Sequence, residues 1–424
     1  MTISHTFKDL ISKMVTVGRL TVRIGEDAPF TVGSLIARRP DLDVAIHIAD
    51  AWTAAAIAAD PDLQLGEAYM DERLEIEAGS LWSLMELIGR NGVRRPQMGL
   101  MTSLKRSLAG FIATNTPERS RRNVAHHYDL SDEFYRLFLD DDMQYSCAYF
   151  SRPGMTLEQA QVAKKAHIAA KLELRDGQRI LDIGCGWGGL ALSLAKVADV
   201  EVVGVTLSRE QLRVARARAV AEGLADRVRF ELIDYRSVAG PFDRIVSVGM
   251  FEHVGRSEFD TYFGAIQRLL KPGGLALVHS IGRKDPGPGV NPWIERHVFP
   301  GGYIPAASQA LDAIERSGLW TTDMEVLRTH YAETLRHWRE RVERQRREIE
   351  HLYDARFYRM WTFYLALCEM GFRYNGLMVM QLQIAADSDA LPITRDYLSV
   401  EETHIANRLH AVDHAPLALV AEVA

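Results

Sequence analysis

From about residue 123 onward, short apolar runs alternate with longer stretches whose apolar positions recur at helical spacing. Arg179 to Asp182, Glu201 to Val205, Val228 to Leu232, Asp243 to Val248 and Leu275 to Ser280 have the length and β-branched content of strands. Between them, helices are predicted near 188–197, 208–222 and 257–270. Regular alternation of this kind predicts a mostly parallel sheet with helices on both faces, an α/β fold whose ligands bind beyond the carboxyl ends of the strands. Further on, Thr334 to Leu352 reads as a charged helix and Arg359 to Ile384 as an apolar one, with Trp361, Tyr364, Leu365 and Cys368 on a single face. Beyond about 395 the chain reads as a peripheral tail without a motif, over 396–424.

The first 95 residues follow a different pattern and predict a small α+β domain. Val15 to Ile24 and Val44 to Ile48 alternate like strands, whereas Ala54 to Ala59 and Leu81 to Ile88 look helical. Over about 96–122 the sequence becomes basic and polar, a linker in which Leu104, Leu108 and Phe111 fall near helical spacing beside Lys105, Arg106, Arg119, Arg121 and Arg122. Such a basic amphipathic segment suits an anionic membrane surface, or equally a solvated linker packed on its own domain. The catalytic domain is expected over 123–395.

Composition narrows the class. A chain of 424 residues with 47% hydrophobic and 25% charged residues is globular and long enough for two domains. Its formal net charge of -6 argues against a dedicated nucleic-acid binder. The three cysteines, Cys147, Cys185 and Cys368, match no zinc or redox spacing, so no metal site is expected and a reducing cytosol fits. No stretch reads as a membrane span or a cleavable leader.

The most specific local signal is ILDIGCGWGG, in which Gly184, Gly186, Gly188 and Gly189 follow a strand and open a helix. Nicotinamide, flavin and S-adenosylmethionine enzymes all use glycine-rich turns of this type. Asp182, two residues before the first glycine, favours S-adenosylmethionine, because a carboxylate suits its cationic amino group. The second strand ends without the acidic residue that a dinucleotide site wants for its ribose, offering Thr206 and Gln211 instead. At the end of the third, Asp234 is placed to accept from an adenine amino group and Tyr235 to cover the ring.

Seven stretches in order, AHHYDLSDEFYRLFLDDDMQYSCAYF, ILDIGCGWGG, GVTLSREQL, DRIVSVGMFEHVG, KPGGLALVHSIG, NPWIERHVFPGGYIP and RMWTFYLALCEMGF, resemble the cyclopropane-fatty-acyl-phospholipid synthases and the related mycolic acid methyltransferases over about residues 120–385. The N-terminal extension carrying LGEAYMDERLE resembles the phospholipid-acting members. The resemblance implies an S-adenosylmethionine-dependent methyltransferase fold, Rossmann-like, preceded by the small domain, which in the family contacts lipid and supports dimerisation. It further implies a homodimer in the cytoplasm, held peripherally at the inner face of the cell membrane, that adds a methylene unit to the cis double bond of an unsaturated phospholipid chain.

By the same resemblance, Tyr145 and Ser146 touch S-adenosylmethionine, Gly184 through Gly189, Cys185 included, cradle its methionine part, Thr206, Leu207 and Gln211 hold the ribose, and Tyr235 lies at the adenine. Cys147, Glu252, His279, Ile281 and Tyr331 match the group that holds a bicarbonate ion. That ion has a chemical purpose. An alkene that attacks the sulfonium methyl becomes a carbocation, which must lose a proton from the new methyl to close the ring, and a weak base can wait beside it without trapping it. Glu252 would have to be protonated, or donate through His279, to tolerate the anion.

Cys368 is expected to line the reaction pocket without a covalent step, since the alkene is itself the nucleophile. His126 and His127 are adjacent and would diverge by about 100° on a helix, so they are not expected to share a metal. Ala306, Ala307 and Phe363 depart from the common family residues and are expected on the acyl side. Loss of a different proton would give a methyl- or methylene-branched chain, and a non-catalytic lipid-binding relative is the alternative from another class.

Overall fold

Parallel pairing dominates the larger of two sheets in the computed structural model, which describes residues 3–92, 130–287 and 289–413. Its strands are β5 (Arg179–Ile183), β6 (Glu201–Thr206), β7 (Val228–Leu232), β8 (Phe242–Val248), β9 (Leu270–Arg283), β10 (Trp320–Leu327) and β11 (Leu377–Ala385). They lie in the order β10-β11-β9-β8-β5-β6-β7. Antiparallel pairing of β11 with both β9 and β10 makes it the one reversed strand of the seven. The chain crosses from one half of the sheet to the other between β5 and β8, and this switch opens a crevice at their carboxyl ends.

Local chemistry fixes the helices around that crevice. Helix α6 (Leu157–Lys171) starts at Thr156, whose hydroxyl accepts from Gln159 N while the Gln159 side chain returns to Thr156 N. Helix α7 (Gly189–Val197) opens directly from the glycine loop and α8 (Arg209–Ala221) from the Ser208 cap. The predicted strands and helices of this half all form, with ends displaced by a few residues.

The segment predicted as one apolar helix over 359–384 is two elements. Helix α14 (Ala355–Tyr374), capped by Asp354, ends at Asn375, Gly376 takes a φ of 72°, and the chain returns as β11. Burial on both faces of β11 gives an almost continuous apolar run, whose period cannot separate strand from helix; the slot between β9 and β10 decides. Likewise the predicted helix over 334–352 is α12 (His330–Arg344) and α13 (Arg346–Leu352), broken at Gln345. The expected peripheral tail contains helix α15 (Asp396–Asp413), which packs on α6 and α7 and puts Ile405 and Leu409 into the core. Its apolar contacts are too sparse to stand out in sequence.

The N-terminal domain has a four-stranded sheet in the order β2-β1-β3-β4. It comprises α1 (Ile3–Met14), β1 (Arg19–Ile24), β2 (Phe30–Gly33), β3 (Asp43–Ile48), α2 (Ala51–Ala59), α3 (Pro61–Met70), β4 (Leu74–Ala78) and α4 (Leu81–Gly92). The first strand is shorter than predicted because Gly18, at a φ of 86°, turns the chain after Val15–Val17. The basic segment over 96–122, with His126 and His127, lies outside the described residues.

Helices α3 and α4 seat on α14. At Gly66 a Cβ would lie 2.4 Å from Trp293 Nε1 and 2.7 Å from Phe363, and at Gly89 it would lie 2.4 Å from the Tyr374 ring, so both contacts need a bare backbone. Polar contacts hold α3 on two neighbours: Asp71 with Arg356 of α14 at 2.9 Å, and Glu67 with Arg296 at 3.0 Å and His297 at 2.9 Å on the short helix Pro292–His297. Phe363, expected on the acyl side, packs here between Tyr69 and Trp293. Gly66→Ala should therefore lower stability by about 1–3 kcal/mol in urea unfolding. Gly264→Ala, on an α-helix over Phe259–Leu269 with open space at the Cβ position, should be neutral or stabilising by up to about 1 kcal/mol in the same assay.

Candidate active site

Twelve of the thirteen residues expected at the cofactor line a single cavity at the carboxyl ends of β5, β6 and β8: Tyr145, Ser146, Asp182, Gly184, Cys185, Gly186, Gly189, Thr206, Leu207, Gln211, Asp234 and Tyr235. Gly184 and Gly186 adopt φ of 82° and 54°, and around Gly186 a Cβ would meet nothing within 4 Å, so the loop presents bare backbone to the cavity. Gly188 is the exception. It caps α7 at a φ of 85°, and a Cβ there would lie 2.7 Å from Phe230, so this glycine serves helix–sheet packing.

Asp182 sits in β5, is buried, and has an Oδ2 without a hydrogen-bond partner among the described residues. Burial pushes its carboxyl up to about 7, against the pull of the Lys164 ammonium. A cationic amino group beside Oδ2 would satisfy both the orphaned oxygen and the charge. Thr206 Oγ1 donates to Gln211 Oε1 at 3.1 Å, holding the end of β6 to the first turn of α8. Asp234 differs from expectation: Arg236 donates from Nε at 2.8 Å and Nη2 at 2.7 Å to its two oxygens, and from its backbone N at 3.0 Å. The carboxylate is thus a clamp on the turn, with only spare lone pairs for an adenine amino group.

None of the six residues expected to serve the reaction lines that cavity. His279 and Ile281 lie two apart on β9, so they share a face, and Ile281 N donates to Glu252 Oε1 at 2.6 Å. The amide of this residue, one of those expected at the anion, already has a partner. Glu252 Oε2 and His279 Nε2 are both out of solvent and have none among the described residues. Burial holds the Glu252 carboxyl up at about 7, opposed by the Ile281 amide, and drives His279 well below the ordinary imidazole value. The pair offers a neutral imidazole and a carboxyl that is substantially protonated near neutrality, a donor set that tolerates a small anion.

Cys147 and Tyr331 belong to one aromatic-rich core, against which Ile281 and Cys368 pack. The Cys147 thiol donates to Ala148 O at 3.3 Å, and Ala148 N donates to Thr334 Oγ1, one turn beyond Tyr331 on α12. Burial pushes this thiol up strongly and the Cys368 thiol up to about 12, so neither is a thiolate nucleophile. Tyr364 and Tyr145 meet at 3.2 Å between hydroxyls, connecting α14 to the cofactor cavity.

Three site residues were not anticipated. His253 lines the cofactor cavity, and burial lowers its imidazole to about 4. Lys164 is buried and donates to Gln144 Oε1 at 2.7 Å and Ser146 Oγ at 2.8 Å, holding the irregular segment before Cys147. Gln381 on β11 contacts His279. For Lys164 a signal exists: Gln161, Lys164, Ile168 and Lys171 fall on one helical stripe, so a polar stripe faces inward.

A glycine loop at the switch point of this sheet, with a buried carboxylate below it, defines an S-adenosylmethionine-dependent methyltransferase. Residues 115–382 match the sequence model of the mycolic acid cyclopropane synthetase family, and the chain belongs to that family. The Escherichia coli cyclopropane-fatty-acyl-phospholipid synthase is 41% identical over 322 residues, covering 76% of this chain and 82% of its own. A probable fatty acid methyltransferase of Pseudomonas putida is 39% identical over 333 residues, covering 75% and 81%. The crystal structure of mycolic acid cyclopropane synthase CmaA1 complexed with SAH and CTAB superposes with a TM-score of 0.59 at 34% identity, over 62% of this chain and 98% of that one.

Asp182→Asn should weaken S-adenosylmethionine binding about tenfold in calorimetric titration, by removing the charge beneath the amino group. In the unaltered protein the same affinity should fall as pH drops below about 7. Bound sulfonium amino acid favours the ionised carboxylate, and protonation of Asp182 competes with it.

Proposed function

We propose that the protein closes cyclopropane rings on cis-unsaturated acyl chains of membrane phospholipids. The observation that carries this reading is the pair of unmatched buried atoms, Glu252 Oε2 and His279 Nε2, beside an aromatic core that offers no ionised nucleophile. When bound, S-adenosylmethionine supplies the methyl taken up by the alkene, and a bicarbonate ion supplies the weak base that takes the proton lost as the ring closes. Asp182 and the loop from Gly184 to Gly189 hold the donor, with Tyr145 and Ser146 over it. His279 and protonated Glu252 donate to the anion, with Cys147 and Tyr331 bounding its far side. Aromatic walls from α12 and α14, Trp338 and Trp361 among them, exclude water that would otherwise capture the carbocation.

In this reading the protein works at the inner membrane surface, as a homodimer. Among the described residues no helix is long and apolar enough to cross a bilayer. Trp52 on α2, 81% exposed, gives the N-terminal domain an aromatic anchor of the kind found at lipid headgroups. The name of the Pseudomonas putida relative supports a second reading, in which the same methyl transfer leaves a branched chain.

Incubation with vesicles of cis-monounsaturated phospholipid, S-adenosylmethionine and bicarbonate separates these readings. Upfield ring protons in the NMR spectrum of the lipid support the cyclopropane, whereas vinylidene or methyl-branch signals sink it. Glu252→Met, which keeps the side-chain length but removes the donor to the anion, should cut turnover about 100-fold while the protein remains folded by circular dichroism. Full activity in that variant would contradict the anion pocket.

A further inference from the structure

A line of polar side chains crosses the sheet beside the proposed anion site. His279 on β9 is in register with Gln381 on β11, and Gln381 with Glu325 on β10, so the three are cross-strand neighbours on one face. Gln381 is fully buried and Lys171, from α6, nearly so. Lys171 Nζ donates to Gln381 Oε1 at 2.8 Å and also contacts Glu325 Oε2. His167, one helical turn before Lys171, sets its Nε2 2.6 Å from Glu325 Oε2 and its Nδ1 3.0 Å from Glu402 Oε2 on α15.

This chain of contacts decides a proton position. A lysine ammonium has donors only, so the Gln381 oxygen must face it. The amide nitrogen of Gln381 then faces the histidine, 3.1 Å from Nδ1, and an amide nitrogen can only donate. Nδ1 of His279 is therefore the acceptor, and in the neutral ring the proton must be on Nε2, the atom without a partner among the described residues. Reversing the amide would set its NH2 against an ammonium and its oxygen against Nδ1, at the cost of two opposed donors in a buried site.

We propose that Gln381 is the positioning residue for His279: held by Lys171, which is itself paired with Glu325, it fixes the imidazole as the Nε2–H tautomer and so makes Nε2 a hydrogen-bond donor to the anion. The anion itself rests on the function proposed above; the tautomer does not. The brace ends on Glu402, so α15 contributes to a site far from it in sequence.

The decisive variant is Gln381→Glu, nearly isosteric but an acceptor where the amide nitrogen was. Facing a carboxylate, Nδ1 must carry the proton, and in the neutral ring Nε2 is then an acceptor turned toward a negative ion. Nitrogen-15 NMR of histidine-labelled protein reads the tautomer directly. The unaltered protein should show His279 protonated at Nε2 and Gln381→Glu should show it protonated at Nδ1. With vesicles of dioleoyl phosphatidylethanolamine and dioleoyl phosphatidylglycerol, the variant should need about tenfold more bicarbonate for half-maximal turnover, while S-adenosylmethionine affinity stays within about twofold.

An Nδ1–H ring in the unaltered protein overturns the proposal, as does a variant with unaltered tautomer and bicarbonate response. Should Gln381→Glu fail to fold, the spectrum of the unaltered protein still decides. Absence of any modified lipid from the unaltered enzyme would instead remove the functional reading and leave the tautomer assignment standing.

Discussion

Helix α14 and strand β11 form one rigid unit on which both the site and the domain arrangement depend. The helix is buried on opposite sides, by α3 and α4 through Gly66 and Gly89, and by α12 through the pairing of Glu369 with Arg339 at 3.1 Å. Glu369 is completely buried and also takes Arg373 Nε at 3.0 Å. Removing the arginines from such a group would strand a buried charge, a loss of about 3–5 kcal/mol, so α14 has little freedom to shift. After Asn375 and Gly376 the chain enters the sheet as β11, where Gln381 stands in register with His279.

The electrostatics of the interior divide along the same line. On the reaction side, thiols and imidazole are neutral and two carboxyls, Asp182 and Glu252, are raised to about 7 by burial. The amino groups sit behind them, with Lys164 under the cofactor segment and Lys171 under the sheet row. A cationic transition state would be destabilised by ammonium groups pointing into it, and captured by ionised nucleophiles. Here each lysine spends its donors on neighbouring oxygens, and polar amides carry the influence of Lys171 forward to the histidine.

Much of this was legible in the chain. Strands such as Glu201–Thr206 combine β-branched runs with clear helical neighbours, and the glycine loop has a fixed place between a strand and a helix, so the sheet and the cofactor cavity follow from local pattern. The motifs around Cys147, Glu252, His279 and Tyr331 carried the second group through resemblance to a family, since no periodicity connects residues that far apart. Less legible was LMVMQLQIA, where burial on both faces erases the alternation that marks a strand. The clamp of Asp234 by Arg236 was also hidden, because a carboxylate two residues before an arginine says nothing of which way either turns.

Those failures share a cause that bears on the chemistry. The polar partner of His279 lies on the strand read as helix, and the last member of the brace, Glu402, on a helix within the segment read as a peripheral tail without a motif. Once β11 is read as part of α14, Gln381 and Gln383, both buried and two residues apart on β11, no longer share the face opposite Lys171, and the row from β9 to β10 disappears. A histidine at a reaction centre can be found from its motif; which of its nitrogens carries the proton is a property of the sheet around it. In this protein that sheet is completed by the reversed strand, so the least sequence-evident element of the fold is the one that carries the polar partner of His279.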